Sequence, residues 1–502
     1  MMIPRATISK MIRTLFVASM LLCTGTVTAQ TSQRADVMPL TTKSDEVRQM
    51  IEKAWDVGLD QVEQAQAIEI YRKALKIDPN FAIGHELLSQ TSLDPAEQVR
   101  EQRKAFATRS HASAAERLVV EWLHDAADHR LILAITNMND VLSRYPHDKW
   151  VVFLAERWLT QQTQYDRAIA VFENSGLASP GLLNDIAYTY AYSRQFEKAF
   201  VLMDKYVAAL PKDPNPQDSY AEILRMAGRF DQSIEHYRAA LALDPDFYSS
   251  QFGIADTYSL MGDQVRARQE YEVAFKKFSL PELHRIEWQT REAITFVRDG
   301  DYAEADRAFQ AIAEQAHAEH MSQQEAEAWR QMARYQRHSQ KATALLAKAQ
   351  AAVQQGENAM VAALQQELAE ILRARVEVGL EAGNKKMTAS ALAQLARMSE
   401  TSNDKLIDSA YHGAEGAVLF SGHKYTDAIA HLEEDTNNPF SLQLLAEAYR
   451  KTGDSAEAHR TTETLVNFND PTLEQALVVP AFRKCYKDPS CNSNLKGVSL
   501  KK

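Results

Sequence analysis

The chain has 502 residues, of which 45% are hydrophobic and 25% charged, with only 17 Gly and 15 Pro. This is the composition of a folded chain rich in helix-forming residues, not of a disordered or fibrous one. The formal net charge of −11, with no basic cluster to offset it, repels phosphate backbones, so no nucleic-acid partner is expected.

Residues 1–29 read as a signal peptide. Arg5, Lys10 and Arg13 form a positive start, Leu15 to Leu22 a short apolar run, and Val27-Thr-Ala29 a small-residue cleavage site. Cleavage would begin the mature chain near Gln30, move the net charge from −11 to −14 by removing three positive charges, and send the protein to the periplasm or outside the cell. The alternative is a retained, uncleaved anchor, although the apolar run is short for a membrane span. Residues 30–44 are polar and aperiodic, a flexible linker.

Helical periodicity starts at Asp45, where Val47, Met50, Ile51, Ala54 and Trp55 fall on one stripe. A second helix from Ala65 closes on Ala74-Leu-Lys-Ile-Asp-Pro79, and Ala240-Leu-Ala-Leu-Asp-Pro245 repeats the phrase. Each Pro ends a helix and disfavours α geometry in the residue before it. The period is clearest between Asp218 and Ser279, where Gly228 and Gly262, Tyr237 and Tyr271, and Ala240 and Ala274 are each 34 residues apart. With the small residue of each second helix as marker, Ala67, Val99, Ala134, Ala168, Ala199, Ser233, Ala267 and Ala305 count eight units. Four positions on stand Tyr71, Arg103, Met138, Phe172, Met203, Tyr237, Tyr271 and Phe309, of which only Arg103 breaks the apolar rule. A small residue lets paired helices approach closely, and the large one fills the gap to the next pair.

These residues resemble the tetratricopeptide repeat family. Its pattern of Leu-Gly-x-x-Tyr in a first helix, then Ala-x-x-x-Phe and Pro in a second, is matched in part. Gly228-Arg-Phe230 with Ser233, Tyr237 and Pro245 is one match; Ala255-Asp-Thr-Tyr258 with Ala267 and Tyr271 is another; Gly300-Asp-Tyr302 with Ala305 and Phe309 is a third. The resemblance implies an all-α fold, a right-handed superhelical solenoid of stacked antiparallel helix pairs. About eight pairs are expected over 45–318, an irregular helical spacer or divergent repeats over 319–407, further pairs over 408–482, and a tail over 483–502. In the spacer, helices are expected at 323–338, 340–355, 358–381 and 387–399.

The resemblance also implies a concave groove, lined by the first helices, that takes protein or peptide partners. Transferred position by position, the groove residues are Phe153, Arg157, Asn184, Tyr188, Tyr192, Asp218, Glu222, Arg225, Phe252 and Asp256. The bland alternative is ordinary exposed polar residues and packing. A Lys-and-Asn carboxylate clamp is not matched, since no Lys-x-x-x-Asn precedes Asn184 and Arg225 in the well-framed units.

No catalytic constellation stands out, and no cofactor or metal is expected. His85-Glu86 opens like a zincin helix, but position 89 is Ser; His317 and His320 have a spacing compatible with a metal or with plain surface residues. Cys485 and Cys491 flank an Asp-Pro-Ser turn and read as a local disulfide, or else as two free thiols. The expected function is therefore a non-enzymatic scaffold of the cell envelope. Two alternatives are a polysaccharide-binding protein, with Tyr188, Tyr192 and Phe252 as stacking residues, and an enzyme with its site in 319–407.

Overall fold

The computed structural model describes residues 37–61 and 63–486, except for the side chain of Cys485. Among them are 25 α-helices and no strand. From Asp45–Trp55 to Ser455–Val466 the helices alternate as first and second members of antiparallel pairs, each second helix also packing on the first helix of the next pair. The result is the expected right-handed solenoid. Local sequence sets the helix boundaries. Asp94, Asp213 and Asn438 cap starts that place Pro95, Pro214 and Pro439 in the first turn, where a missing N–H costs nothing. Gly262, at φ 96°, ends the Tyr248–Met261 helix in the left-handed conformation that favours glycine.

All eight marker residues fall on second helices, and Ala67, Ala134, Ala168, Ala199, Ser233, Ala267 and Ala305 are wholly buried at the helix crossings. The second unit departs from the expected register. Val99 is only half-buried and Arg103 points to solvent; the inward face of Pro95–Thr108 is instead Glu97, Glu101, Gln102 and Ala105. The polar members of that face have partners. Glu97 receives Arg72 Nε at 3.1 Å and Nη2 at 2.6 Å, while Glu101 lies 2.7 Å from Nδ1 of the buried His85.

Residues 37–44 also correct an expectation, since they are docked rather than free. The Met38 N–H donates to Asp148 at 2.6 Å, the Thr41 N–H to Glu116 at 2.8 Å, and the Thr42 hydroxyl to Asp78 at 2.9 Å. The strip thus gains order by pairing with carboxylates from three different units. Residues 1–36, which include the expected signal peptide and the first part of the expected linker, lie outside the described residues, as does Cys491 of the expected disulfide.

Between 319 and 407 the alternation of paired helices continues, with longer members after the first: Ser322–Arg334 packs on Ser339–Gln355, and Val361–Glu381 on Lys385–Ser402. The solenoid also meets itself. Helix Ala114–Ala127 touches Val361–Glu381, and His129 Nε2 lies 3.1 Å from Asp404, 275 residues on.

Helix packing is tight at Gly253, where a Cβ would overlap ring carbons and the hydroxyl of Tyr237 on the preceding helix. Gly253→Ala is therefore expected to destabilise the chain by about 1–3 kcal/mol through overpacking, read as a lower denaturation midpoint. An unchanged midpoint would show that this crossing is looser than described.

Candidate functional site

The inner wall of the solenoid is built from first helices whose polar side chains reach across to their neighbours. The Tyr188 hydroxyl donates to Glu222, 34 residues on, at 2.8 Å. Arg225 Nη1 donates to Asp256 at 3.2 Å, and Arg291 Nη1, 35 residues beyond Asp256, donates to the same oxygen at 2.8 Å. Tyr271 donates to the other Asp256 oxygen. Further along, Arg330 grips Glu367 with two bonds of 2.7 and 3.0 Å, and Arg334 binds Glu377 at 2.9 Å. Arg373 reaches Asp435 and Ser441. These polar contacts tie several pairs to later ones along the wall, because a buried charge is tolerated only with its partner beside it.

The chain then folds back onto this wall. Beyond Val466 it crosses the inner face, and helix Leu473–Tyr486 packs on Glu282–Asp299, Pro439–Thr452 and Ser455–Val466. Asn469 Nδ2 donates to the Met226 carbonyl at 3.0 Å, Arg194 lies over the Phe468 ring at 5.0 Å, and Arg334 approaches Glu474 at 3.5 Å. Leu473 and Ala476 join the apolar core around Ile286, Ile294 and Trp329.

A cavity of about 680 Å³ remains between this returning segment and the inner wall. Tyr192, Glu222, Arg225, Arg291, Arg330 and Glu474 are among its lining residues. Burial works to raise the Glu222 and Glu474 carboxyls, but it is outweighed. Arg225 and Arg291 hold Glu222 below the ordinary carboxylate range, and Arg334 and Arg330 do the same for Glu474. At Asp470 burial wins over Arg194, Arg225 and Arg291, and the carboxyl is raised.

A family model matches residues 63–81, the 64–77 helix and the turn after it. That stretch matches the tetratricopeptide repeat. Solved structures similar to the chain include a tetratricopeptide repeat protein from Parabacteroides merdae, at 16% identity and TM-score 0.34, covering 54% of this chain and 94% of that one. Another is the Cut9–Hcn1 assembly of the APC/C, at 13% identity and TM-score 0.39, covering 80% and 76%. Yeast Tom70 is similar at 15% identity and TM-score 0.37, covering 90% and 99%. No curated protein matches the sequence.

Of the ten residues placed on a groove wall by the tetratricopeptide pattern, most serve the wall itself. Phe153, Asn184, Asp218, Arg225, Phe252 and Asp256 are buried. Phe252 lies flat on Trp288, with ring centroids 4.6 Å apart, and so offers no face to a sugar ring; the row of three stacking aromatics is not formed. Asp218 accepts from Ser250 at 2.6 Å, its carboxyl pushed up to about 7 by burial. Arg157 is exposed and lies 5.8 Å from the Phe153 ring. Tyr188, half-buried, stacks with Tyr192, and Tyr192 is 43% exposed. The cavity therefore brings together Tyr192, Glu222 and Arg225 from the expected set and leaves the other seven out. It adds Arg291, Arg330, Asp470 and Glu474, which the repeat pattern did not point to. The interval of 35 from Asp256 to Arg291 was a readable signal; nothing local marks Asp470 or Glu474.

The two His-based alternatives resolve into separate contacts. His317 pairs with Glu325 and His320 with Glu357, each at 2.9 Å, and both rings are exposed. His85 is buried between Glu101 and the Pro79 carbonyl. Among the described residues no group of three or more His, Cys, Asp or Glu is arranged to hold a metal ion.

Proposed function

We propose that this chain is a non-enzymatic scaffold that holds protein or peptide partners on the inner face of its solenoid. The reading places it in the periplasm or outside the cell after loss of residues 1–29. It is supported chiefly by the cavity itself, where acids, arginines and an exposed tyrosine from several repeats converge on one space that stacked pairs hold open in advance. A preformed recognition surface limits the ordering cost of binding, and mixed aromatic and charged groups supply specificity. In the 319–407 segment Arg330, Arg334 and Arg373 engage Glu367, Glu377 and Asp435 in ion pairs that tie helices together, a structural use of charge. The sequence's tetratricopeptide resemblance points the same way, and the acidic net charge argues against nucleic acid.

The test is to express the chain with its own N-terminus in a bacterial host and recover it from the periplasm, where it is expected to begin at Gln30. Used as bait against an envelope extract of its source, it should retain a small set of proteins. A Tyr192→Ala, Glu222→Gln variant, which alters the cavity at half-exposed positions, should lose them. Cytoplasmic recovery would sink the export reading, and retention unchanged by the variant would sink the inner-face reading.

A further inference from the structure

We propose that the inner cavity binds a cationic nitrogen group, an alkylammonium or guanidinium, brought by the partner that enters it; the proposal deepens the scaffold reading and rests on it. The first ground is charge accounting. Every arginine facing the cavity already has carboxylates: Arg225 has Glu222 and Asp256, Arg291 has Asp256 and Glu287, and Arg330 has Glu367. Carboxylates are left over. Glu327 and Asp470 line the cavity and make no ion pair among the described residues, and Glu370 has only distant arginines, at 3.7 and 3.8 Å. A concave space between low-dielectric walls focuses that excess into a negative potential.

The second ground is independent of charge. Gln331, 8% exposed, also lines the cavity. Its Nε2 donates to Glu327 at 2.7 Å, and because a carboxylate can only accept, the amide orientation is fixed. Its Oε1 therefore remains an acceptor, buried and with no partner. An N–H donor satisfies it; an anion cannot. A cation beside Glu327 would meet both groups at once. Tyr192, partly exposed, also lines the cavity and brings an aromatic ring to the same space. The volume of about 680 Å³ lies within the range of sites that enclose a ligand or a whole side chain.

Isothermal titration calorimetry on the full mature chain tests this with three probes: capped tetralysine, spermidine and capped tetraglutamate. One equivalent of a cationic probe is expected to bind, more weakly as salt is raised, and tetraglutamate is expected not to bind. Glu327→Gln with Asp470→Asn should weaken the cation by about fivefold or more, the order of one lost charge contact. Glu52→Gln with Glu235→Gln, which removes two exposed acids elsewhere, should leave it unchanged. Tetralysine binding without spermidine identifies a peptide side chain as the source, and the reverse identifies a free amine. No heat from either cationic probe on the wild-type chain overturns the proposal, as does equal weakening by both variant pairs. Neither result touches the capture experiment, so the scaffold reading fails only if its own partners are absent or indifferent to the inner face.

Discussion

Asp256→Ala is expected to cost about 3–5 kcal/mol of stability, more than any single change on the solenoid's outer surface. The side chain has 0% exposure, and its two oxygens serve three groups from three helices: Arg225, Arg291 and Tyr271. Alanine would leave two guanidiniums in the wall without a shared counter-charge, and a buried cation stripped of its partner is far more costly than a lost surface pair. Asp256→Asn should cost less, since it keeps the shape and one acceptor oxygen while losing the charge. Chemical denaturation gives the size of the effect, and hydrogen exchange gives its location. In a repeat array stability comes from each unit and its interfaces with its neighbours. Protection should therefore fall mainly in Pro214–Met226, Tyr248–Met261 and Glu282–Asp299. A midpoint equal to that of the unchanged chain would mean that the polar contacts between repeats contribute nothing net.

The same residue shows what could be read from the sequence. Periodicity at Ala199, Ser233 and Ala267 reports a direction, the face a side chain takes on its helix, and direction was enough to obtain the pairs and their stacking. It does not report what occupies the space in front of that face. Asp218, Arg225 and Asp256 do point inward, but each meets a residue of the next repeat 31 to 35 positions away, so they brace the wall instead of lining an open groove. In the second unit, Arg103 broke the apolar pattern because the inward positions there are Glu97, held by Arg72 from the preceding pair, and Glu101, held by His85 from the first helix of the same pair. The returning segment was the least legible part. Asn469 meets Met226 across 243 residues, and no local pattern around either position carries that pairing. The cavity exists because of that return, so a reading confined to repeat positions finds Tyr192, Glu222 and Arg225 but not the wall that faces them.

Stability is expected to fall as pH rises from about 5 to 8, the reverse of ordinary acid denaturation. Glu86 and Glu156 sit in the wall nearly or fully buried, each with one carboxyl oxygen that has no hydrogen-bond partner. Burial pushes both up to about 8, against the Gln90 amide at Glu86; at Glu156 the nearby Asp185 adds to it, against the Thr189 and Thr160 hydroxyls. In the unfolded chain both titrate near the ordinary glutamate value of about 4.3. Below that value both states hold the protons and the contribution is fully present. Between there and about 8 only the folded state holds them, so each group removes about 1.4 kcal/mol per pH unit as the unfolded chain gains from ionising. Glu97 and Glu101, held below the ordinary range because Arg72 and Lys104 outweigh their burial, act oppositely, and their contribution is lost only at lower pH. The two sets together place the stability maximum near the ordinary glutamate value of about 4.3. Glutamine reproduces the shape of a protonated glutamate without its proton, so Glu86→Gln with Glu156→Gln should match the unchanged chain at about pH 4 and exceed it at pH 8. Denaturation midpoints at those two values decide the matter: an equal decline in both proteins would mean that these two carboxyls ionise inside the wall at no cost, which their burial argues against.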